Sequence, residues 1–367
     1  MSDKKIRVAI VGVGNCASAL VQGLERYKHV DESSTCVPGL MHPSLGGYLV
    51  RDIEIVAAFD VNARKIGKDI AEAIWVSPNN AKKFCDVPPT GVMVSPGYLG
   101  DGLSKRMRKR ISVTDLPPKI DKVLQESGAE MLVSFLPVGS KKAARHYANK
   151  CIKNKVAFVN AMPEFIASAP EWAEKFREAG VAIAGDDVMS QVGATIIHEI
   201  IAALVLSRGQ TVLETTQLNV GGNADFENML DHERVVSKKK SKSARLEWVM
   251  GRTGISALPA AYLAELQDRK TAYITFKGEQ FGGVFFEMEL KLQVEDSPNS
   301  AGVIVDAIRL MKLSLNRGEI GYQQWSEWLF KRPMELHTLE DQRKLMEDFI
   351  EKSLALSKLK LVERSAS

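Results

Sequence analysis

Short apolar runs and amphipathic stretches alternate along the first half of the chain. The run at 6–11 is rich in β-branched residues and predicts a buried strand. A helical pattern follows it, in which Leu20, Val21 and Leu24 fall on one face. Further apolar runs lie at 53–59, 131–136, 156–159 and 181–184, and helical patterns at 141–154 and 171–179. This alternation predicts an α/β fold with a doubly wound parallel sheet.

The pattern changes after residue 195. A long apolar helix is predicted over 196–206, and strands are predicted at 212–220, 271–276 and 284–294. The last of these alternates apolar and polar positions, as in an antiparallel strand with one exposed face. Helical patterns resume near 299 and again over 339–361, and 75–116 is predicted to be irregular. The sequence therefore predicts a second, α+β region, whose open sheet face is of a kind that often makes an oligomer contact.

A glycine-rich turn follows the first predicted strand. Gly12, Gly14 and Ala17 stand in the order G-x-G-x-x-A, with Asn15 and Cys16 between the last two. Gly12 would allow the tight turn, Gly14 the close approach of a pyrophosphate, and Ala17 the packing of the helix on the strand. The pattern predicts a Rossmann-type dinucleotide site formed by these residues. A glycine turn that only joins a strand to a helix is the alternative.

Asp60 ends the second predicted strand. An acidic residue there would accept a hydrogen bond from the ribose 2′-hydroxyl and favour NAD over NADP. It follows Gly14 by 60 − 14 = 46 residues instead of the usual ~20, which indicates a loop insertion. Ser134, Pro137 and Asp186 stand at the carboxyl ends of later strands, the edge of an open parallel sheet where ligands bind. We expect these residues in the cofactor site as well.

Composition narrows the class of protein. The 367 residues carry 49 Lys+Arg against 45 Asp+Glu, a net charge of +4, which gives no support for nucleic-acid binding. Apolar stretches stay shorter than the roughly 18 residues of a membrane span, so no membrane partner is expected. The 4 cysteines show no metal-type spacing, and the N-terminus lacks a signal-peptide pattern. We expect a reduced, cytoplasmic protein and assign no metal ligands.

A lysine-rich stretch at 237–243 is a local exception to the near-neutral charge. Lys238 and Lys242 are four residues apart and would share a helix face, where they would repel each other unless an anion lay between them. Composition alone favours a solvated basic surface. Ser190 and Thr195, near the start of the apolar helix, would suit an anion through their hydroxyls and backbone N–H groups. Plain N-capping explains these two residues equally well.

Several short motifs occur in order between about residue 7 and residue 333. They are GVGN at 12–15, LVSFLPVGS at 132–140, GDD at 185–187, LNVGGN at 218–223, the lysine run, and DSPNSAG at 296–302. Together they resemble the myo-inositol-1-phosphate synthase family in its shorter bacterial and archaeal form. The resemblance implies cyclisation of glucose 6-phosphate to an inositol phosphate, with tightly held NAD and no net redox change.

The resemblance also implies an architecture. Residues 1–200 would form the NAD-binding Rossmann domain, residues 201–300 an inserted α+β catalytic and tetramerisation domain, and residues 301–367 would return to the Rossmann domain. The enzyme would be a homotetramer. The implied chemistry oxidises C5, removes the acidified C6 proton, closes C6 onto the C1 aldehyde and reduces C5 again. It needs a phosphate clamp, stabilised oxyanions and proton transfer.

The resemblance assigns these tasks to particular residues. The catalytic set would be Lys238, Lys242, Lys270, Lys331, Asp187 and Asp296, with Asp186 an alternative to Asp187; the substrate-binding set would be Ser190, Thr195 and Asn223. Lysine suits the chemistry because its charge is compact and its pKa falls on burial. From the residues alone, helix capping remains an alternative for Asp296 and a turn position for Asn223.

One position departs from the family pattern. Family members usually carry lysine after Gly-Asp-Asp-x, where this chain has Met189. The missing cation would weaken substrate binding or mark a paralogue that cyclises a different sugar phosphate. Two further alternatives are an NAD-dependent sugar-phosphate dehydrogenase on the same plan and a non-catalytic NAD-binding protein. The first would need fewer lysines, and the second would have no use for such costly buried charge.

Overall fold

A seven-stranded parallel sheet forms the centre of the protein. The structure is a computed structural model that describes residues 4–231, 234, 245–251 and 256–366. The strands of this sheet are β1 (Ile6–Val11), β2 (Ile53–Asp60), β3 (Val94–Pro96), β4 (Met131–Ser134), β5 (Ala157–Asn160), β6 (Ala182–Gly185) and β11 (Gly321–Tyr322). Their spatial order is β3-β2-β1-β4-β5-β6-β11, and all neighbours are parallel. The first six follow the Rossmann order, which confirms the predicted doubly wound sheet.

Helices cover both faces of this sheet. They are α1 (Asn15–Arg26), α2 (Ile70–Ala73), α3 (Ile120–Ser127), α4 (Lys141–Asn154), α5 (Pro170–Glu178) and, from the C-terminal part, α8 (Asp296–Arg317). Alternate residues of β1 serve the two sides: Val8 and Ile10 face a core shared with α1 and α8, whereas Ala9 and Val11 face a core shared with α4 and α5. Burial on both faces explains why the strands are near-continuous apolar runs.

The insertion between Gly14 and Asp60 packs on α8. The guanidinium of Arg309 donates to the backbone oxygens of His42, Pro43 and Tyr48 at 2.7, 3.2 and 3.2 Å. His42 Nδ1 lies 2.6 Å from Asp306 Oδ2, and Asp306 also pairs with Arg309. The C-terminal part of the chain therefore holds the N-terminal insertion in place.

A second, mixed sheet contains β7 (Thr211–Gly221), β8 (Ser256–Tyr262), β9 (Arg269–Glu279) and β10 (Phe285–Glu295), in the order β10-β9-β7-β8. Strand β9 is antiparallel to both neighbours, and β8 is parallel to β7. The helix α6 (Ala194–Ser207) covers one face, where Ala202, Ile274 and Phe276 are buried together. The predicted α+β region and its three strands are confirmed. Strand β8 was missed because its sequence, SALPAAY, contains proline and no β-branched residue.

The chain returns to the first sheet after β10. Strand β10 runs directly into α8, and β11 then pairs with β6. The short helix α7 (Ala224–Asn228) follows β7, and α9 (Leu339–Ala366) ends the chain. The expected domain boundary at residue 200 lies inside α6. In the described ranges, no helix is both long enough and apolar enough to cross a membrane.

Candidate functional site

One cleft brings together residues from both sheets. Its wall is formed by the glycine turn, the carboxyl ends of the parallel strands, the start of α6, one end of the mixed sheet and the start of α8. The expected site residues in this wall are Gly12, Gly14, Asn15, Cys16, Asp60, Pro137, Asp187, Ser190, Thr195, Asn223, Lys270, Asp296 and Lys331. Residues far apart in the sequence therefore share one site.

The glycine turn leaves room for a ligand at the start of α1. Gly12 has φ +88°, and a Cβ there would lie 2.6 Å from the carbonyl oxygen of Phe135. A Cβ on Gly14 would meet nothing within 4 Å. Gly14 is also the N-cap of α1 and offers no side chain to its N–H groups, while Ala17 is fully buried against the strand. The turn thus fits the pyrophosphate of a dinucleotide.

Asp60 holds the glycine turn through a hydrogen bond with its backbone. Its Oδ2 accepts from the backbone N–H of Val13 at 2.8 Å, and its Oδ1 accepts from that of Asn62 at 2.8 Å. Lys65 Nζ donates to the carbonyl oxygen of Val13 at 2.6 Å and lies 3.6 Å from Asp60 Oδ2. Burial lowers the pKa of Lys65, and Asp60 opposes that shift. Lys65 was missed because it lies in an irregular segment that no sequence pattern links to the turn.

Lys331 and Asp187 form the first lysine–carboxylate pair in the cleft. Lys331 Nζ donates to Asp187 Oδ1 at 2.9 Å, and both side chains are largely buried. The backbone aligns them: Val188 and Phe330 form an antiparallel bridge, and the Lys331 N–H donates to the Asp187 carbonyl oxygen at 2.7 Å. Lys331, which follows β11, is therefore placed by pairing with the loop after β6.

Lys270 and Asp296 form the second pair. Lys270 Nζ donates to Asp296 Oδ1 at 3.1 Å. Lys270 faces Val294 in the ladder between β9 and β10, so the start of α8 brings Asp296 beside it. The N-cap of α8 is Glu295, without a side-chain cap. The capping alternative for Asp296 is thus wrong, because another residue holds the N-cap position.

Asn223 combines a structural and a site contact. Its side-chain oxygen accepts from the backbone N–H groups of Asp225 and Phe226 at 3.1 and 3.2 Å and so caps α7. Its Nδ2 donates to Asp268 Oδ1 at 3.2 Å and lies 3.4 Å from Asp296 Oδ2. The local-turn alternative therefore describes part of what this residue does, and its amide group also contacts two carboxylates beside the cleft.

Asp268, which the sequence analysis did not identify, bonds to three residues of the cleft wall. It is 1% exposed, and its Oδ1 accepts from Asn15 Nδ2, Asn223 Nδ2 and Ser297 Oγ at 3.0, 3.2 and 2.8 Å. Burial, with a further contribution from Asp296, raises the pKa of Asp268 to about 6. It therefore connects the glycine turn with the mixed sheet and α8. Its position two residues before Lys270 was the only available signal.

Ser190 and Thr195 stand at the start of α6. The N-cap of this helix is Gly193, which has no side chain to cap it. Neither hydroxyl residue is therefore the N-cap, and both line the cleft. Met189 is 3% exposed, lies outside the cleft wall, and donates its backbone N–H to Leu329 at 2.8 Å.

Several expected cofactor residues lie beneath the cleft surface, namely Ala17, Ser134 and Asp186, which are fully buried. The Asp186 carboxylate accepts from Asn160 Nδ2, from the backbone N–H groups of 166, 167 and 168, and from Ser168 Oγ. Burial raises the pKa of Asp186 to about 6 against these donors. Asp186 is thus placed to organise the 161–168 loop that borders the cleft.

The remaining expected site residues are Cys16, Lys238 and Lys242. Burial raises the pKa of the Cys16 thiol to about 12, so it is protonated at neutral pH and is no nucleophile. Lys238 and Lys242 lie outside the described residues. Across the described ranges, no three His, Cys, Asp or Glu side chains are grouped to hold a metal ion.

A Rossmann-type sheet, a glycine turn shaped for a pyrophosphate and two lysine–carboxylate pairs in one cleft define a dinucleotide-dependent enzyme. The family model of myo-inositol-1-phosphate synthase matches residues 193–297. The inositol-3-phosphate synthase of Mycolicibacterium smegmatis is 50% identical over 357 residues, which span 95% of this chain and 98% of the relative. The chain therefore belongs to the myo-inositol-1-phosphate synthase family, and the resemblance to its shorter bacterial form is confirmed.

Solved structures agree with this assignment. The crystal structure of Ari2 is 33% identical, with a TM-score of 0.78, and the match covers 95% of this chain and 99% of that one. A myo-inositol-1-phosphate synthase-related protein from Thermotoga maritima is 24% identical, with a TM-score of 0.76 over 95% of this chain and 98% of that one. The second likeness shows the fold alone.

Proposed function

We propose a division of labour among the cleft residues for the inositol-3-phosphate synthase reaction, the conversion of glucose 6-phosphate to inositol 3-phosphate that belongs to this family. The observation that carries the proposal is the position of two lysine–carboxylate pairs, Lys270–Asp296 and Lys331–Asp187, in the same cleft as the glycine turn. A simple dehydrogenase needs one acid–base group and one phosphate-binding group. The cyclisation must stabilise negative charge and transfer protons at more than one oxygen of the sugar.

NAD is the proposed cofactor. Gly12, Gly14 and Asn15 would hold its pyrophosphate at the start of α1, and Asp60 would face its adenine ribose. The open space beside Gly14 supports this placement. Bound NAD would take up the hydride from C5 of the sugar and later return it, so that no net oxidation results.

The lysines serve the oxygens of the sugar. Each Nζ lies within 3.1 Å of a carboxylate oxygen, in a position shielded from bulk water. We assign Lys270 and Lys331 to the oxygens on which negative charge develops, because preorganised cations act most strongly where water is excluded. The paired carboxylates Asp296 and Asp187 orient the lysines and exchange protons with the hydroxyl groups.

The phosphate group is assigned to the start of α6. Ser190 and Thr195 line the cleft there, beside a helix N-terminus whose N-cap is a glycine. Backbone N–H groups and hydroxyls at such a position bind phosphate well. Lys238 and Lys242 would complete the clamp, and this part of the proposal rests on the sequence motif alone.

The decisive assay incubates the purified protein with glucose 6-phosphate and NAD, identifies the product by NMR and follows NADH by absorbance. Inositol 3-phosphate without accumulated NADH is the expected result. Stoichiometric NADH with an oxidised sugar phosphate would instead indicate a dehydrogenase, and inositol phosphate formed only from another sugar phosphate would indicate a paralogue. Bound NAD without any conversion would support a non-catalytic role.

We also propose a homotetramer of subunits in which residues 1–200 and 301–367 form one domain and residues 201–300 the other. Large apolar side chains exposed on the mixed sheet and α6 support self-association; they include Tyr273, Phe285, Met288, Ile200 and Leu204. Light scattering at micromolar concentration should report a tetramer, and a stable monomer would contradict the proposal. The cysteines are unpaired, which suits a cytoplasmic enzyme.

A further inference from the structure

A row of buried polar side chains leads from α6 to the cleft. His198 on α6 and Thr215, Gln217 and Asn219 on β7 are each at most 6% exposed. Alternate residues of a strand share one face, so the three β7 residues form a row. Gln217 and Asn219 line the cleft, whereas His198 and Thr215 lie behind them. The row therefore connects a buried imidazole with the ligand-facing surface.

The contacts along the row set the proton positions on the imidazole. His198 Nε2 lies 2.6 Å from Thr215 Oγ1, and Thr215 Oγ1 donates to the carbonyl oxygen of Thr275 at 2.7 Å. A carbonyl oxygen can only accept, so the single hydroxyl proton of Thr215 is used there. Nε2 must therefore carry a proton and donate it to Thr215.

The other ring nitrogen, Nδ1, keeps a lone pair. The ring is buried with its edge-to-face contact on Phe276, at a centroid distance of 5.0 Å. Burial lowers the pKa of His198 to about 4, so the ring is neutral at physiological pH. A neutral imidazole with its proton on Nε2 is a hydrogen-bond acceptor at Nδ1.

The lone pair on Nδ1 determines how the carboxamide groups of Gln217 and Asn219 are oriented. The structure places Gln217 Oε1 3.2 Å from Nδ1. Two lone pairs would then face each other, so the carboxamide must be turned by 180° to put its NH₂ at this position. The oxygen and nitrogen of a carboxamide exchange places by a half-turn, and the network determines which is which. As placed in the structure, Gln217 Nε2 donates to Asn219 Oδ1 at 3.2 Å. After the half-turn the Gln217 oxygen faces Asn219, whose carboxamide must turn as well so that its NH₂ donates to Gln217.

One polar atom of Asn219 is left for a ligand. The side chain is fully buried, and the terminal atom that the structure places as Nδ2 has no hydrogen-bond partner within the described part of the protein. With the orientation set by His198, this atom is the carboxamide oxygen, which only accepts. Phosphate and carbonyl oxygens have no proton to give it, whereas a sugar hydroxyl does.

We propose that His198 is a positioning residue that acts through Gln217 to hold the Asn219 oxygen toward the cleft, where it accepts a hydrogen bond from a hydroxyl of the sugar phosphate. The inference rests on the proposed placement of the sugar beside Lys270. Asn219 lies two residues from Gly221, which pairs with Lys270 in the ladder between β7 and β9. The row would thus select an unmodified hydroxyl at one carbon of the sugar.

The first test uses glucose 6-phosphate analogues in which one hydroxyl is replaced by hydrogen or by fluorine. Fluorine can accept weakly but cannot donate. At one carbon, both replacements should raise KM by about tenfold or more, as expected when a site loses a hydrogen-bonding group. Asn219→Ala should abolish this discrimination. A fluoro analogue that binds like glucose 6-phosphate where the deoxy analogue does not would reveal a donor in the site and overturn the proposal.

The second test separates positioning from folding. His198→Leu should raise KM for glucose 6-phosphate about tenfold, with kcat and NAD affinity little changed, and should lose the discrimination between analogues. His198→Asn offers an acceptor near the position of Nδ1 and should restore both. Gln293→Leu is the matched control, because Gln293 donates to Thr271 at 3.2 Å on the same sheet but lies outside the cleft wall. Equal loss of thermal stability in both His198 variants without a change in KM would contradict the proposal.

Two further readouts keep the outcomes distinct. Nitrogen-15 NMR of the wild-type protein should show His198 as the neutral tautomer with its proton on Nε2. An imidazolium, or a proton on Nδ1, would overturn the inference. This measurement does not depend on whether His198→Leu folds. A fall in NAD affinity, rather than a rise in KM, for Asn219→Ala would show that the acceptor does not serve the sugar. Absence of any turnover by the wild-type protein would refute the proposed function and leave the tautomer measurement valid.

Discussion

The Nζ atom of Lys331 lies 2.9 Å from Oδ1 of Asp187, although the two residues are 144 positions apart in the chain. Asp187 follows the sixth strand of the parallel sheet and has φ +62°. Lys331 follows the last strand of the parallel sheet, so all four strands of the mixed sheet lie between the two residues in the sequence. The pair therefore exists only because the C-terminal segment returns to the first sheet.

Removal of this lysine should affect activity and stability separately. Lys331→Met should lower kcat at least 100-fold, the usual loss for a group that transfers protons or stabilises charge. It should also reduce the free energy of unfolding by roughly 3–5 kcal/mol, because Asp187 loses its cation in a buried setting. The double variant Lys331→Met/Asp187→Asn should regain much of the stability but no turnover. Urea unfolding and steady-state kinetics measure the two effects, and recovery of turnover would exclude a catalytic role for the pair.

Lys270 should be needed for turnover but not for NAD binding. Its Nζ pairs with Asp296 rather than with a residue of the glycine turn that would hold the pyrophosphate. Lys270→Ala should therefore abolish most turnover while the affinity for NAD, measured by titration calorimetry, is retained. Lys277→Ala, on the exposed part of the same strand, is the control and should behave like the wild type. Loss of NAD binding in Lys270→Ala would show that the lysine has been placed in the wrong part of the cleft.

The two glycines of the turn should respond differently to alanine. Gly12→Ala forces a side chain into positive φ and against the Phe135 carbonyl oxygen, so it should cost about 1–3 kcal/mol of stability or more. Gly14→Ala places a methyl group in open space and should change the free energy of unfolding by less than about 0.5 kcal/mol. It should nevertheless weaken NAD binding at least tenfold, because the methyl group fills the place of the pyrophosphate. Equal NAD affinity in Gly14→Ala and the wild type would argue against that placement.

Asp268 should make stability depend on pH in the acid range. Burial and the nearby Asp296 raise the pKa of Asp268 from 3.8 to about 6. Between these values the folded protein binds a proton that the unfolded chain has released, so stability falls as the pH rises through this window. The penalty is absent below the lower value and fully present above the upper one.

Asp268→Asn cannot ionise and should lack this dependence. Relative to the variant, the wild type should lose roughly 1–3 kcal/mol of unfolding free energy between about pH 4 and about pH 6. Urea unfolding of both proteins across that range measures the difference, and Asp186, which titrates in both, cancels. Parallel stability curves for the two proteins would mean that Asp268 titrates normally.

Local patterns were sufficient to predict much of the fold. Apolar runs of four to eight residues marked the central strands, because a parallel strand is buried on both faces. The glycine turn was also predicted from a short local pattern. The φ of +88° at Gly12 requires a residue without a side chain, and Gly14 leaves open space beside the turn. Strand β8 escaped prediction because its pairing with β7, rather than its own composition, makes it a strand.

The site residues divide in a similar way. Residue type and short spacing were enough to predict most of the strands and helices, the glycine turn, and the lysines and carboxylates that the family motifs contain. The strands β3, β8 and β11 and the helices α2, α3 and α7 were not predicted. Only the tertiary structure decided that Lys331 meets Asp187, that Asp268 connects Asn15 to Asn223, and that Lys65 supports the turn. These contacts join segments that are distant in the chain. Their energies depend on burial and on the partner that long-range packing supplies, which no local pattern encodes.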